Sequence, residues 1–370
     1  MRVMFVASPL IGHLFPMMPL AVELRRQGNS VLVATGGDAV RAVDGQVRAA
    51  DVGAAHGYVR GAARGLMAHP LLALRSAAGL AEPRGAARVF AATNAAMRDE
   101  LTRKAIEFEP DVVVHEPFAS VAAIVAARLG VPAVLHNIAF DNGSHIRREL
   151  LRLLGAAELP ESALTLSVSP PSLVRVPGRE LRFTPYATAD SVIPEFLREP
   201  AGRPRILVTR STMLGDGPDV MLASILRAAP RVDAEIVIVR PNHRVERAPR
   251  LPANVRTVGW TDLHSVLPHC TAMVNHAGAG SVYAALRAGV PQLATPAPGD
   301  RRWNARLVHR RGVGLSVPAW RIRAAHLTAL STDPGLAEAA REVAAEIAAM
   351  PGADRVAAEL TASIAERSAR

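Results

Sequence analysis

The feature that most constrains the fold is an alternation of short apolar runs with helix-like segments, which the chain shows twice. The runs of the first half occupy residues 2–7, 30–35, 111–115 and 133–136. Those of the second half occupy residues 205–209, 235–240, 255–258, 272–275 and 292–295. Because buried parallel strands are apolar and are joined by helices, the pattern predicts an α/β protein. The predicted fold class is two doubly wound, Rossmann-like domains that face each other across a cleft.

The chain length also favours two domains, because 370 residues exceed what one ordinary hydrophobic core holds. A stretch punctuated by prolines, residues 191–204, is the predicted linker. Residues 58–94 mix Ala, Gly, Arg and Pro without a strong period, which indicates mobile helices or loops. Further helices are predicted over residues 15–27 and 121–129, and over a tail at 335–369.

The helical tail carries its own start and stop signals. Asp333 and Pro334 fit the N-cap and first position of a helix, and Pro351-Gly352 predicts a break within the tail.

Charge and cysteine content narrow the possible functions. The formal net charge is +10, but Lys104 is the only lysine and the arginines are dispersed, so we expect a solvated arginine surface and no nucleic-acid partner.

Cys270 is the only cysteine, which excludes an intramolecular disulfide. No apolar run reaches the roughly twenty residues of a membrane span, and the N-terminal segment lacks a cleavage site. We therefore expect a cytoplasmic protein with no membrane partner.

The strongest local motif is VNHAGAGSVYAA, in which a buried strand leads through glycines into a helix. Free N–H groups at a helix start attract anions, so His276, Gly278, Gly280 and Ser281 predict a phosphate or diphosphate site. An ordinary glycine-rich turn is the alternative, and this segment by itself favours neither. A dinucleotide oxidoreductase is disfavoured, because Tyr283 stands where the third glycine of that fingerprint belongs.

His13 and Glu116 each follow a predicted strand of the first half. Carboxyl ends of parallel strands meet at one sheet edge, where open α/β sheets bind ligands. An imidazole there suits general-base catalysis, and a carboxylate bonded to its second nitrogen would fix its tautomer. Taken singly, a packing histidine and a solvated acid are the more frequent situations. Taken together, they make a base–acid pair a fair hypothesis.

Other polar or aromatic residues follow strands of the second half. Asp300 and Arg301 could bind ligand hydroxyls, although capping is a comparable role for Asp300. Trp260 could stack on a nucleobase or simply pack. Ser211 and Thr212 could donate hydroxyls to the same diphosphate. The chain has no D-x-D motif and no metal-ligand cluster, so we predict no metal.

The N-terminal SPLIGHLFPMMPLA, the later SPPSL, and the long block from GWTDLHSVLPHC to GDRRWNA together resemble the family-one, GT-B-fold glycosyltransferases. The chain is most similar to the actinobacterial enzymes that decorate polyketide antibiotics, including the enediyne (calicheamicin-type) group. The resemblance implies an acceptor-binding domain over residues 1–190 and a nucleotide-sugar domain over 205–350. It also implies that a C-terminal helix, 351–370, packs back on the first domain.

The resemblance assigns roles by position. His13 falls on the catalytic base and Glu116 on its supporting acid. The other matches are the diphosphate loop of His276, Gly278, Gly280 and Ser281, the base-stacking Trp260, and the sugar-binding pair Asp300 and Arg301. Asp262 and Leu263 stand where relatives often have Pro-Gln, and Arg301 where they often have Gln, which leaves the donor sugar undefined. The implied acceptor pocket draws on residues 58–94 and 136–154, with Tyr58, Asn137, Phe140 and His145.

The resulting expectation is an inverting, metal-independent transfer of a (deoxy)sugar from a TDP-sugar to a hydroxyl of an apolar natural product. The nucleoside diphosphate sugar is a co-substrate and no other cofactor is expected. The partners are the donor and the aglycone, with a homodimer as an option. Two alternatives stay open: a sugar-nucleotide epimerase of the same fold, and a non-catalytic helper that binds a nucleotide sugar.

Overall fold

The computed structural model describes residues 1–43, 45–53, 83–141, 143–156, 158, 160–186, 193–199, 201–211 and 217–368. They divide into two compact units. The first unit comprises Met1–Thr188 and Met350–Arg370, and the second comprises Ala189–Ala349.

The described residues of the first unit contain strands β1 (Arg2–Val6), β2 (Ser30–Thr35), β3 (Arg48–Asp51), β4 (Val112–His115), β5 (Ala133–His136), β6 (Leu164–Ser167) and β7 (Arg179–Glu180). These seven strands form one parallel sheet in the order β3-β2-β1-β4-β5-β6-β7. Its helices are α1 (Ile11–Leu14), α2 (Met18–Arg26), α3 (Asp38–Arg41), α4 (Pro83–Phe108), α5 (Val121–Leu129) and α6 (Ser144–Leu153).

The C-terminal helix belongs to the first unit, where it packs against α2. Gln27 donates a hydrogen bond from Nε2 to the carbonyl of Asp354 at 2.9 Å. Arg179 and Glu359 form an ion pair at 2.7 Å. The C-terminal helix is thereby tied to the end of α2 and to the edge strand β7 of the first unit.

In the second unit, the described residues contain strands β8 (Arg205–Thr209), β9 (Glu235–Val239), β10 (Val255–Val258), β11 (Ala272–Asn275), β12 (Gln292–Ala294) and β13 (Gly314–Ser316). These six strands form one parallel sheet in the order β10-β9-β8-β11-β12-β13. Its helices are α7 (Glu195–Arg198), α8 (Val220–Ala228), α9 (His243–Glu246), α10 (Leu263–Val266), α11 (Ala279–Ala288), α12 (Arg301–Arg311), α13 (Ala324–Thr332) and α14 (Pro334–Ala349), and α15 (Ala353–Ser368) is the C-terminal helix of the first unit.

Each sheet is buried on both faces, as the apolar runs predict. In β8, Ile206 and Val208 join one core cluster while Leu207 joins another. Successive side chains of a strand point to opposite faces, so both faces of the sheet must be covered by helices. The prediction of two parallel, Rossmann-like α/β domains is confirmed.

Two segments differ from the sequence-based expectations. The helix predicted over residues 15–27 is observed only over Met18–Arg26 (α2), and α1 (Ile11–Leu14) precedes it as a separate short helix. Pro16 lies between the two, and proline has no N–H to donate. Of the expected irregular segment 58–94, residues 58–82 lie outside the described residues, and the remainder opens α4, a helix of 26 residues. None of the described helices has both the length and the apolar character needed to cross a bilayer.

Candidate active site

The topology of each sheet places the candidate residues at a switch point. In the first unit, β1 lies between β2 and β4, so the order of strands reverses beside it. His13 follows β1 and Glu116 follows β4. In the second unit the reversal falls at β8 and β11, which lead into Ser211 and His276. Ligands of open α/β sheets bind at the carboxyl ends of strands at such points.

His13 and Glu116 lie side by side at the edge of the first sheet. Nδ1 of His13 is 3.3 Å from Oε1 of Glu116, and the two side chains are 18% and 0% exposed. The backbone N–H of Ser8 donates to Oε1 at 3.0 Å, and that of Phe118 donates to Oε2 at 2.7 Å. The carboxylate is therefore held by two backbone donors, while Nδ1 of His13 faces it and Nε2 remains for other chemistry.

Three influences set the ionisation of Glu116. Burial by itself raises the pKa of its carboxyl group. The His13 imidazole and the N–H groups of Ser8 and Phe118 outweigh burial, so the pKa lies below its ordinary value. Glu116 is thus an ionised, buried carboxylate at neutral pH, which is the state that orients an imidazole.

Two aromatic rings that were not among the predicted residues surround His13. The Phe118 ring lies 4.8 Å from the imidazole, edge-on, and the Phe90 ring lies 5.3 Å away. The two phenyl centroids are 4.6 Å apart. Packing of this kind restricts the rotamers of a side chain. The sequence does not predict a role for Phe90, because residues 58–94 lack a clear hydrophobic period.

The predicted acceptor residues are placed differently from one another. Asn137 is buried and its Oδ1 accepts the N–H of Gly143 at 3.0 Å. The Phe140 side chain is fully buried, so it presents no surface to a ligand in this structure. His145 is exposed on α6, and Tyr58 lies outside the described residues.

The glycine-rich loop of the second unit has a tightly specified backbone. Ala277 adopts a left-handed conformation with φ of 61°. Gly278 precedes α11, and a Cβ placed on it would lie 2.4 Å from Nε2 of His276. Gly280 differs, because nothing lies within 4 Å of the corresponding position. Ser281 lies in the first turn of α11.

Two buried asparagines hold this loop and were not predicted from the sequence. Asn275 accepts the N–H of Ala277 at 2.8 Å, and Asn304 donates to the carbonyl of Ala277 at 2.9 Å. Asn275 also donates to Gln292 at 2.8 Å. Such bonds compensate for the unfavourable φ of Ala277.

His276 is neutral at physiological pH. Burial lowers the pKa of its imidazole to about 4, and the charge of Arg301 acts in the same direction. His276 can therefore offer a diphosphate a neutral hydrogen bond, whereas positive charge must come from residues such as Arg301.

The structure brings together two of the other predicted donor residues. Arg301 donates from Nη2 to Oγ of Ser211 at 3.3 Å. Asp300 accepts a hydrogen bond from Asn304 at 2.9 Å and begins α12 without capping it through its side chain. Thr212 lies outside the described residues.

Trp260 follows β10 and is 66% exposed. The Arg240 guanidinium carbon lies 5.1 Å from the centre of its ring, a cation–π distance. Leu263 is partly buried, and its side chain packs against the hydrophobic core of the second unit. Asp262 between them accepts the N–H groups of His264 and Ser265 at 3.2 and 3.1 Å, which caps α10.

Within the described ranges, no three His, Cys, Asp or Glu side chains converge as metal ligands would. The remaining chemistry at the two edges is a carboxylate–imidazole pair in the first unit and a set of hydrogen-bond donors and cations in the second.

The fold is that of a class of two-domain α/β proteins, and comparisons with known proteins identify the family. Residues 23–211 match the family described as erythromycin biosynthesis protein CIII-like, N-terminal domain, and residues 223–363 match its C-terminal domain. The chain belongs to this family and is a glycosyltransferase.

Three relatives illustrate the match. The elloramycin glycosyltransferase ElmGT of Streptomyces olivaceus is 38% identical, over 97% of each chain. The TDP-daunosamine transferase DnrS of Streptomyces peucetius is 30% identical, over 95% of this chain and 94% of that protein. The crystal structure of the glycosyltransferase SnogD from Streptomyces nogalater superimposes with a TM-score of 0.79 at 32% identity, covering 98% of this chain and 99% of the other.

Proposed function

We propose that the protein transfers a sugar, with inversion and without a metal ion, from a TDP-sugar to a hydroxyl of an apolar natural product. The observation that carries the proposal is the contact of His13 Nδ1 with a buried, ionised Glu116 at 3.3 Å. The contact is long for a charge-assisted hydrogen bond, but catalytic contacts often tighten only when substrate is bound. The similarity to a named TDP-daunosamine transferase supports the choice of donor.

The proposed reaction is a single displacement. The acceptor hydroxyl gives its proton to Nε2 of His13 as its oxygen bonds to the anomeric carbon. The bond from that carbon to the diphosphate oxygen breaks, and TDP leaves with its electron pair. Glu116 stabilises the imidazolium, and one displacement inverts the anomeric configuration.

The proposed donor site uses the carboxyl edge of the second unit. The first turn of α11, with Ser281 and the neutral His276, would bind the diphosphate. Arg301 would add positive charge and, with Asp300, contact the sugar hydroxyls. Trp260 would stack on the base. An enediyne acceptor stays a prediction.

Replacing the base tests the mechanism. We expect His13→Ala to lower kcat with a TDP-sugar and a hydroxylated acceptor by about 10²–10⁴-fold. The matched control is His309→Ala, which removes an exposed histidine of the second unit. Full turnover by His13→Ala at neutral pH would refute the assignment. Conversion of the donor without acceptor would instead indicate an epimerase.

Nucleotide binding tests the donor assignment. We expect TDP at a hundredfold excess over its Kd to stabilise the protein by about 2.7 kcal/mol, and UDP to stabilise it less at the same concentration. Thermal unfolding with each nucleotide measures both effects. Absence of any shift with either nucleotide would contradict the proposed site.

A further inference from the structure

Asn94 is a fully buried polar side chain on α4, and its amide bonds to the backbone of three other residues. Nδ2 donates to the carbonyl of Phe90 at 2.9 Å and to that of Phe118 at 2.6 Å. Oδ1 accepts the N–H of Val121 at 2.9 Å. Asparagine is a poor residue for a helix interior, so its presence here points to the bonds that it makes outside α4.

The two bonds that leave α4 hold the segment directly after Glu116. Phe118 is fixed twice, because its N–H donates to the Glu116 carboxylate at 2.7 Å and its carbonyl accepts from Asn94. Val121 is the first residue of α5, so Asn94 satisfies an N–H that has no partner within that helix. Asn94 therefore clamps both ends of residues 118–121.

The same helix forms part of the wall around the imidazole. Phe90 lies one turn before Asn94, and its ring is 5.3 Å from that of His13 and 4.6 Å from that of Phe118. The clamp thus fixes Phe118 relative to Phe90, and these are the two rings that confine His13.

We propose that Asn94 is a positioning residue: by tying the 116–121 segment to α4, it holds the Glu116 carboxylate and the Phe118 ring in register with His13. This role rests on the proposed function of His13, while the contacts of Asn94 do not. The side-chain hydrogen bonds of Asn94 go to Phe90, Phe118 and Val121, so it acts through the segment that carries the carboxylate.

The kinetic test uses Asn94→Ala with Thr93→Val as the matched control. Thr93 is equally buried, is adjacent on α4, and its hydroxyl has no hydrogen-bond partner among the described residues. We expect Asn94→Ala to lower kcat by about 10- to 100-fold, because small misplacements of catalytic groups cost this much. The KM for the TDP-sugar should stay unchanged, and Thr93→Val should behave as the parent protein.

A double-mutant cycle asks whether Asn94 acts through Glu116. In a Glu116→Gln background, Asn94→Ala should change kcat by less than about 3-fold, since groups that act as a unit are not additive. An equal loss in both backgrounds, or a loss confined to KM, would overturn the proposal. If Asn94→Ala does not fold, Asn94→Asp keeps the acceptor for Val121 but not the donor for Phe118, and it should show the same loss of kcat.

A spectroscopic measurement separates this proposal from the proposed function. With ¹⁵N-labelled histidine, the parent protein should show His13 as the tautomer protonated at Nδ1, and Asn94→Ala should show a mixture. An unchanged tautomer in Asn94→Ala would overturn the positioning role even if His13 is the base. If His13→Ala kept full activity while Asn94→Ala mixed the tautomers, the proposed function would fail and the clamp would stand.

Discussion

The two glycines of the glycine-rich loop, Gly278 and Gly280, differ in their steric surroundings. Gly278 is required by the protein itself, because the His276 ring occupies the space that a Cβ would need. Gly280 meets no such obstacle. No steric conflict among the described residues requires glycine at 280, and the open space there would let a phosphate approach the helix start closely.

We predict different stability effects from two alanine substitutions. Gly280→Ala should raise the free energy of unfolding by about 0.5–1 kcal/mol, since alanine favours a helix, and yet weaken TDP binding. Gly278→Ala should displace the His276 ring, weaken TDP binding by about 10-fold, and give no stabilisation. Denaturation and calorimetric titration measure both. Unchanged TDP affinity in Gly280→Ala would contradict a diphosphate at this loop.

Trp260 offers a second test at the residue scale. A large ring that is 66% exposed beside Arg240 suits a base that stacks on it. We expect Trp260→Leu to weaken TDP binding by about 5- to 150-fold, the range that corresponds to 1–3 kcal/mol of stacking. Trp320→Leu is the matched control, because Trp320 is 61% exposed in the same unit. Equal losses in both variants would show that any exposed tryptophan matters and not this one.

Among the secondary-structure elements, the sequence predicted those whose signals are local. The apolar run of α5 ends at Gly130, which takes a left-handed φ of 69° and stops the helix at the predicted residue. Most strands were predicted to within a residue. Four strands of the described residues were not predicted: β3, β6, β7 and β13. The two-residue β7 is too short and polar to stand out, and β3 (RAAD) is not apolar.

The candidate site likewise contains residues that the sequence predicts and residues that it does not. His13 and Glu116 follow recognisable strands, so their meeting was predictable from parallel topology. Asn94, Phe90, Asn275 and Asn304 act through packing and hydrogen bonds to residues distant in sequence. No periodicity or motif encodes such contacts, which depend on the tertiary fold.

The start of α14 gives a prediction at this scale. Asp333 accepts the N–H of Gly335 at 2.8 Å and that of Leu336 at 3.3 Å, with Pro334 as the first residue of the helix. Asp333→Ala should lower the free energy of unfolding by about 1 kcal/mol, and Asp333→Asn, which keeps an acceptor, by less. Urea denaturation checks the order. Equal losses would mean that the cap contributes through its charge.

At the scale of the whole molecule, acid stability depends on histidines that the fold keeps neutral. Burial lowers the pKa of His115 and of His136, both in the first unit, from 6.5 to about 4. His264 and His276 of the second unit are lowered to about 4 as well, again chiefly by burial. Between about pH 6.5 and pH 4, these histidines therefore bind protons more readily in the unfolded chain than in the folded one.

The sign of the effect follows from proton binding. Below about pH 6.5 the unfolded state protonates these histidines, whereas the folded state does so only near pH 4, so the free energy of unfolding falls as the pH falls through this window. Protonation of His115 and of His136 should each lower the free energy of unfolding of the first unit by about 3 kcal/mol by pH 4, at about 1.4 kcal/mol per pH unit.

Guanidinium denaturation between pH 7 and 4.5, followed with a probe in the first unit, measures the slope, that is, how steeply the free energy of unfolding changes with pH. His136→Gln should reduce it by about 1.4 kcal/mol per pH unit, whereas His145→Gln, at an exposed position, is the matched control. Equal slopes in the two variants would show that the folded protein binds a proton at His136 as readily as the unfolded chain does. The assignment of His136 as a neutral buried imidazole would then be wrong.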